Sequence, residues 1–200
     1  WRRVRTDQYE LRLHKVSEEP TPEERLALQR QTYLPGQVRL NHCKHCGVPH
    51  EVTSNLYLNL EKGYLRNRTT GLREVALPVE SFHAVFREFE KEFGGEIPSL
   101  LQGLEQDYTR AMCTGRPFPG VGIEGNALGL FSEFAWRGIG NPTMASLTQG
   151  GLEAVVENPF YPGMVAGKVA GLYEAWAGVR VRAQVEHEGQ GRMRVVLQRT

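Results

Sequence analysis

The sequence has little of what marks a nucleic-acid-binding or membrane-spanning protein. Its 24 Lys and Arg residues nearly balance 23 Asp and Glu residues, and a net charge of +1 creates no field that would attract nucleic acid. The longest weakly polar stretch, 158–178, contains Lys168, Glu174 and many glycines, which a transmembrane helix would not. We therefore predict no nucleic acid partner and no membrane span.

Cysteine is scarce as well. The three residues Cys43, Cys46 and Cys113 are too few, and odd in number, for a disulfide scaffold. A Cys-x-x-Cys pair in that setting favours a reducing compartment, so we expect a cytoplasmic protein. Because the sequence begins at Trp1 rather than at Met, we expect further residues before it in the gene product.

No catalytic arrangement can be recognised. The sequence has no G-x-S-x-G elbow, no H-E-x-x-H helix and no carboxylate pair or Ser/His/Asp set that can be placed. The glycine-rich stretch 120–125 follows no predicted strand and lacks the Gly-Lys-Ser/Thr ending of a phosphate loop. A binding or regulatory role is thus favoured over an enzymatic one, which stays open.

The hydrophobic content of 40% is enough for a buried core. Helical periodicity predicts helices over 81–93, 97–112, 126–137 and 162–177, and a capping box predicts one that begins at Thr21. Alternating apolar residues predict strands over 9–13 and 152–156 and a closing hairpin of 179–185 with 193–197. We predict an α/β protein of the α+β type: a twisted antiparallel sheet packed by helices, with a small β-module over 38–77.

A loop marks the predicted domain boundary. Residues 116–125 contain two prolines and three glycines. We divide the chain into 1–115, with the Cys/His segment, β-hairpins and two amphipathic helices, and 116–200. Residues 78–115 belong either to the first region or to one integrated domain with the second.

The segment from His42 to His50 is the richest in metal-binding groups. Thiols separated by two residues can reach one Zn²⁺, and the glycine that follows lets backbone N–H groups turn toward the thiolates. We predict one structural Zn²⁺ on Cys43 and Cys46, as opposed to a bare reduced thiol pair. A tetrahedral site needs two more ligands, which would come from His42, His45, His50, Cys113, His83 or a second chain.

Small residues recur along one face of the helix predicted over 162–177. Because Gly163, Gly167 and Gly171 are spaced by four, something must approach this face closely. Close helix packing is one interpretation, since a glycine within a helix costs about 1 kcal/mol and needs a compensating reason. The other is a ligand site made of Gly163, Ala166, Gly167, Ala170, Gly171 and Phe160.

The second half resembles the V4R, or 4-vinyl-reductase, family of hydrocarbon-binding domains, which is related to the Bet3-type TRAPP subunits. The similarity lies in the strand 152–156, the turn Asn158-Pro159-Phe160, the small-residue helix and the closing hairpin. It implies a helix on a twisted antiparallel sheet that encloses a small hydrophobic molecule. The cysteines usual on this helix and hairpin are absent; Met164, His187 and Val195 or their neighbours stand there. The segment 43–49 looks like Cys-x-x-Cys-Gly knuckle modules found beside such domains.

Two functions follow. The first is a binding or regulatory protein for a small hydrophobic or aromatic ligand, with a structural metal knuckle, acting as a homodimer or in a larger complex. The alternative is an accessory subunit of an enzyme complex, of the tetrapyrrole or aromatic-compound reductase type. In that alternative the knuckle and the arginine-rich closing hairpin would dock to larger chains.

Overall fold

Besides the backbone of two short strands, the computed structural model describes four stretches of the chain, residues 32–36, 40–118, 127–189 and 191–200. The two strands pair antiparallel and are β1 (Arg2–Arg5) and β2 (Gln8–Glu10). Strand β2 includes positions 9 and 10 of the predicted strand, whose remaining positions lie outside the described residues. The helix predicted from Thr21 and most of the predicted loop 116–125 lie outside the described residues.

In the β-module predicted over 38–77, the strands follow the Cys/His segment. A short helix leads into three antiparallel strands, which pair in chain order: α1 (His50–Asn55), β3 (Leu56–Asn59), β4 (Tyr64–Asn67) and β5 (Arg73–Glu74). The turn that joins β3 to β4 contains Gly63, whose φ of 62° lies in the left-handed region that glycine adopts without strain. Helix α1 was not predicted, because six residues carry too little periodicity to be recognised.

Three longer helices confirm the strongest helix predictions: α2 (Val79–Phe93), α3 (Ile97–Cys113) and α4 (Pro162–Ala177). Helix α4 has proline at its first position and ends at Gly178, which is left-handed with φ 69°. Among the described residues, none of the helices is of a length and apolarity that would cross a membrane.

The prediction of an α-helix over 126–137 is wrong. The structure has a 3-10 helix, Leu128–Phe131, followed by turns. The N–H groups of Leu130 and Phe134 donate to carbonyls three residues earlier, as 3-10 geometry requires. Phe131 and Phe134 are each 1% exposed and stack edge to face at 5.2 Å. Burial of these rings in the core therefore overrides the helical pattern.

The main sheet has four antiparallel strands: β6 (Asn141–Thr148), β7 (Gly151–Glu157), β8 (Val181–His187) and β9 (Arg192–Arg199). Their order is β6-β7-β9-β8, which confirms the predicted antiparallel sheet and closing hairpin. Strand β6 was not predicted. It is an edge strand with Pro142 beside a register shift, and both features weaken the alternating pattern.

Helix α4 lies between the sheet and helix α3. Val165, Ala166, Val169 and Ala170 are fully buried in the core cluster that includes the sheet. The glycine face meets α3: a Cβ on Gly171 would lie 2.5 Å from the carbonyl oxygen of an α3 residue. Close helix packing is therefore what occupies this face. Helix α3 thus packs directly on the second half, while the domain division at 116 stays a prediction.

Candidate functional site

A cavity of about 340 Å³ lies between the end of α3, helix α4, the segment 127–139 and the β4–β5 turn. Its volume falls in the range of small-molecule sites, roughly 300–1,000 Å³. The apolar and aromatic side chains of its wall are Leu72, Tyr108, Met112, Pro117, Phe118, Leu130, Phe134, Ile139 and Leu172. The polar and charged ones are Thr70, Glu74, Thr109, Cys113, Arg116, Ser132, Glu133, Arg137 and Lys168.

The apolar part of the wall is firmly placed by the core. Leu130 and Phe134 are 4% and 1% exposed and come from the segment 127–139, while Leu172 comes from α4. These side chains belong to the central core cluster or pack against it. The inner wall is therefore fixed by the same contacts that hold the sheet and helix together, as a preformed site requires.

Arg137 joins the β-module to the segment 127–139 at the cavity wall. Its guanidinium lies 3.2 Å from Glu74 and 2.8 Å from Glu133, and it stacks over the Trp136 ring at 4.8 Å from the ring centroid. Its charge is therefore satisfied by two carboxylates of this chain. Arg137 is suited to hold the wall together rather than to receive an anion.

A second set of polar groups lies on α3 and α4. Lys168 pairs with Glu105 at 2.5 Å, and the Thr109 hydroxyl donates to the same carboxylate at 2.9 Å. Lys168 is thereby neutralised within the chain. Arg116 differs from the other two cavity cations, since no carboxylate among the described residues pairs with it. It is the cation best placed to meet an acceptor group on a bound molecule.

Cys113 supplies a half-buried thiol to the wall. Burial raises the pKa of this thiol, while the positive charges of Arg116 and Lys168 act in the opposite direction. The thiol therefore stays protonated at neutral pH. It contributes a small polarizable surface and not a reactive nucleophile.

None of the six residues predicted as a ligand site lines this cavity. Gly163, Gly167 and Gly171 face helix α3, where an added Cβ would come within 3.0 Å of its atoms. Ala166 and Ala170 are fully buried in the core, and Phe160 stacks edge to face on Phe82 at 6.0 Å. The structure thus places these six residues at packing interfaces.

The cavity residues escaped sequence reasoning because they come from five separate segments. They share no spacing, and those of α3 lie in or next to the predicted helix 97–112, whose periodicity indicates a helix and not a cavity. The polar side chains of Thr109 and Cys113, next to the apolar Tyr108 and Met112 at the end of this helix, were the available signal. A helix end that carries both apolar and polar side chains is compatible with the wall of a cavity.

The Cys/His segment forms a tight turn, residues 42–49, which we call the knuckle. The Cys43 N–H donates to Val48 O at 2.8 Å, and the Gly47 N–H donates to Cys43 O at 2.9 Å. The backbone N–H groups of His45 and Cys46 and the Cys46 thiol hydrogen-bond to the Cys43 sulfur and lower the pKa of its thiol. This is the arrangement expected of a metal-binding Cys-x-x-Cys-Gly turn.

The knuckle supplies two of the four ligands that a tetrahedral Zn²⁺ site would need. Within the described part of the chain, no three His, Cys, Asp or Glu side chains come together in a way that could hold a metal ion. The predicted ligands His42, His45 and His50 thus do not form a closed site with the two thiols. Cys113 lines the cavity instead, and His83 contacts the carbonyl oxygen of Phe160.

Comparisons with known proteins relate the chain by fold alone. No family model matches the sequence, and no curated protein matches it. The crystal structure of the phenol-responsive sensory domain of the transcription activator PoxR with phenol matches with a TM-score of 0.57 at 14% identity, over 74% of this chain and 87% of that one. An H-NOX mutant with 4-cyano-L-phenylalanine matches with a TM-score of 0.37 at 10% identity, over 65% of this chain and 77% of that one, which is too low to support an argument.

The chain therefore shares its fold with the first of these two solved structures. At 14% identity the likeness extends to architecture and not to the ligand. The V4R resemblance stays a prediction.

Proposed function

We propose that this chain is a sensory or carrier domain that binds a small, mainly apolar organic molecule in the cavity described above. The cavity carries this proposal, because it has a preformed apolar inner wall in a volume of about 340 Å³, and its charged side chains other than Arg116 are paired within the chain. The shared fold with a phenol-responsive sensory domain supports it by analogy. In this proposal the cavity wall takes the place of the ligand site predicted from the sequence, which was Gly163, Ala166, Gly167, Ala170, Gly171 and Phe160.

The wall favours an aromatic or similarly flat ligand with one polar group. Phe118, Phe134 and Leu172 offer apolar contact to a ring, and such contacts prefer offset or edge-to-face geometry. Arg116 lies on the cavity wall and can donate a hydrogen bond to a hydroxyl, carboxylate or carbonyl oxygen of a bound molecule. Phenol, indole and benzoate are suitable probes, since they share the ring and differ in the polar group.

A cavity-filling variant tests the proposal. Cys113→Phe places a ring inside the cavity, while Leu104→Phe adds one on the exposed side of the same helix, where Leu104 is 59% exposed. We expect calorimetric titration to show probe binding to the wild type and to Leu104→Phe, with at least tenfold weaker binding to Cys113→Phe. A Cys113→Phe protein with wild-type circular dichroism and unchanged affinity would contradict the proposal, as would a wild type that binds no probe.

We also propose that Cys43 and Cys46 bind Zn²⁺ in a structural role. The geometry of the knuckle supports this proposal, because backbone N–H groups hydrogen-bond to the Cys43 sulfur. Zn²⁺ is also an ion that thiolate ligands bind well. Zinc analysis of purified protein should show metal in the wild type and in Cys113→Ser, and none in Cys43→Ser. Equal zinc in Cys43→Ser would refute the assignment.

The accessory-subunit alternative and the cytoplasmic location stay predictions. Purification of the chain from its own cells separates the two functions, since the alternative requires a larger protein complex that remains associated. A chain that purifies alone with a small organic molecule bound would favour the sensory or carrier function.

A further inference from the structure

The knuckle has a structural counterpart in the β4–β5 turn, residues 66–73. In this second turn the Asn67 N–H donates to Leu72 O at 2.8 Å and the Gly71 N–H donates to Asn67 O at 2.9 Å. The knuckle has the same two bonds at the same distances. Gly47 and Gly71 both have φ of 70°, and both turns are closed by an antiparallel residue pair. The two turns thus share one pattern of backbone hydrogen bonds and one left-handed glycine position.

Asn67 occupies the position that Cys43 has in the knuckle. Its amide Oδ1 accepts hydrogen bonds from the N–H groups of Thr69 at 2.9 Å and Thr70 at 3.0 Å. In the knuckle the equivalent N–H groups bond to the Cys43 sulfur. Asn67 is 3% exposed, so its oxygen is committed to the turn and replaces a thiolate there.

Two turns of this kind, each with a cysteine pair, close the Zn²⁺ site of a zinc ribbon. Here the second turn has Asn67 and Thr70 at the two cysteine positions and offers no thiolate. Among the described residues no third ligand accompanies Cys43 and Cys46. A zinc ion on the knuckle therefore has two coordination positions left to fill.

We propose that a second copy of this chain fills them, so that one Zn²⁺ is held by Cys43 and Cys46 of two protomers. This inference rests on the proposed zinc binding. Cys46 is exposed and Cys43 half-buried, so that two knuckles can approach around a twofold axis. As zinc enters, the four thiols release four protons to water, and the exposed Lys44 of each copy offsets the negative charge of the resulting site.

Zinc titration of metal-free full chain, followed by native mass spectrometry, tests the shared site. We expect saturation at about half an equivalent of zinc per chain, with conversion of monomer to dimer. EDTA should reverse the conversion, and Cys43→Ser and Cys46→Ser should abolish it, while Cys113→Ser should behave as the wild type.

The possible results separate the two proposals. One zinc per monomeric chain, or a dimer that keeps one zinc per chain, would overturn the shared site and leave zinc binding by the knuckle intact. No bound zinc at any concentration would overturn both. Circular dichroism of the serine variants shows whether they are folded, and the wild-type stoichiometry decides the question independently of them.

Discussion

Replacing Gly171 by alanine should push helices α3 and α4 apart. The new Cβ would lie 2.5 Å from Gln106 O, 2.8 Å from Thr109 Cβ and 3.0 Å from Arg110 N. The closest approach is roughly 1 Å short of ordinary van der Waals contact. Since two of these atoms belong to the backbone of α3, the overlap is relieved only if part of that helix moves.

The expected loss follows from two opposing effects. Overpacking in a well-packed core costs about 1–3 kcal/mol, and alanine recovers up to about 1 kcal/mol of helix propensity relative to glycine. Movement of α3 would also stretch the bonds that join Gln106 and Glu174 at 2.9 Å and Lys168 and Glu105 at 2.5 Å. We expect a net loss of about 1–2 kcal/mol, or a Tm lower by about 2–8 °C.

Gly103 provides the matched control, because it lies in α3 and a Cβ there meets nothing within 4 Å. Gly103→Ala should therefore raise stability by up to about 1 kcal/mol. Urea and thermal unfolding of both variants measure the difference. If Gly171→Ala were as stable as Gly103→Ala, the close α3–α4 contact would be refuted.

Three further predictions concern charge. Glu174→Ala should lower the free energy of unfolding by about 1–3 kcal/mol in urea titrations, because its buried carboxylate accepts bonds from Arg180 and from a backbone N–H; a loss below 0.5 kcal/mol would contradict this role. Arg116→Gln should weaken benzoate binding about tenfold in calorimetry and leave indole binding unchanged, and equal effects on both would exclude Arg116 as the polar contact. Fluorescence anisotropy should show no salt-sensitive binding to duplex DNA, given the net charge of +1, and tight binding that weakens with salt would refute this expectation.

Local patterns predicted most of the elements. The aromatic spacing of α2, the proline and glycine at the two ends of α4 and the alternation in β8 and β9 depend on neighbours in the sequence, and all are confirmed. The helix predicted over 126–137 is wrong because burial of Phe131 and Phe134 in the core, rather than the spacing of these rings in the sequence, determines the local backbone. Strand β6 was not predicted because an edge strand that contains Pro142 need not alternate strictly between apolar and polar residues.

The site was less accessible to prediction. Cys43 and Cys46 could be recognised because the chemistry and the turn share one short segment. The second turn could not be recognised, because Asn67 takes the place of a thiolate through hydrogen bonds that are visible only in the structure. Its signal was the Asn-x-x-Thr-Gly spacing, which repeats Cys-x-x-Cys-Gly with different side chains. The cavity depends on contacts among distant segments, which only the fold defines.

Occupation of the cavity by a small molecule can be measured directly at Cys113. In the variant with both Cys43→Ser and Cys46→Ser this is the one thiol left of the three in the sequence. Because burial raises its pKa, alkylation by iodoacetamide should be slow at neutral pH and should accelerate only at a more alkaline pH than for an exposed thiol. At mildly alkaline pH, a bound probe should slow alkylation in proportion to its occupancy measured by calorimetry. An unchanged alkylation rate at a saturating concentration of every probe that binds would contradict ligand binding in this cavity.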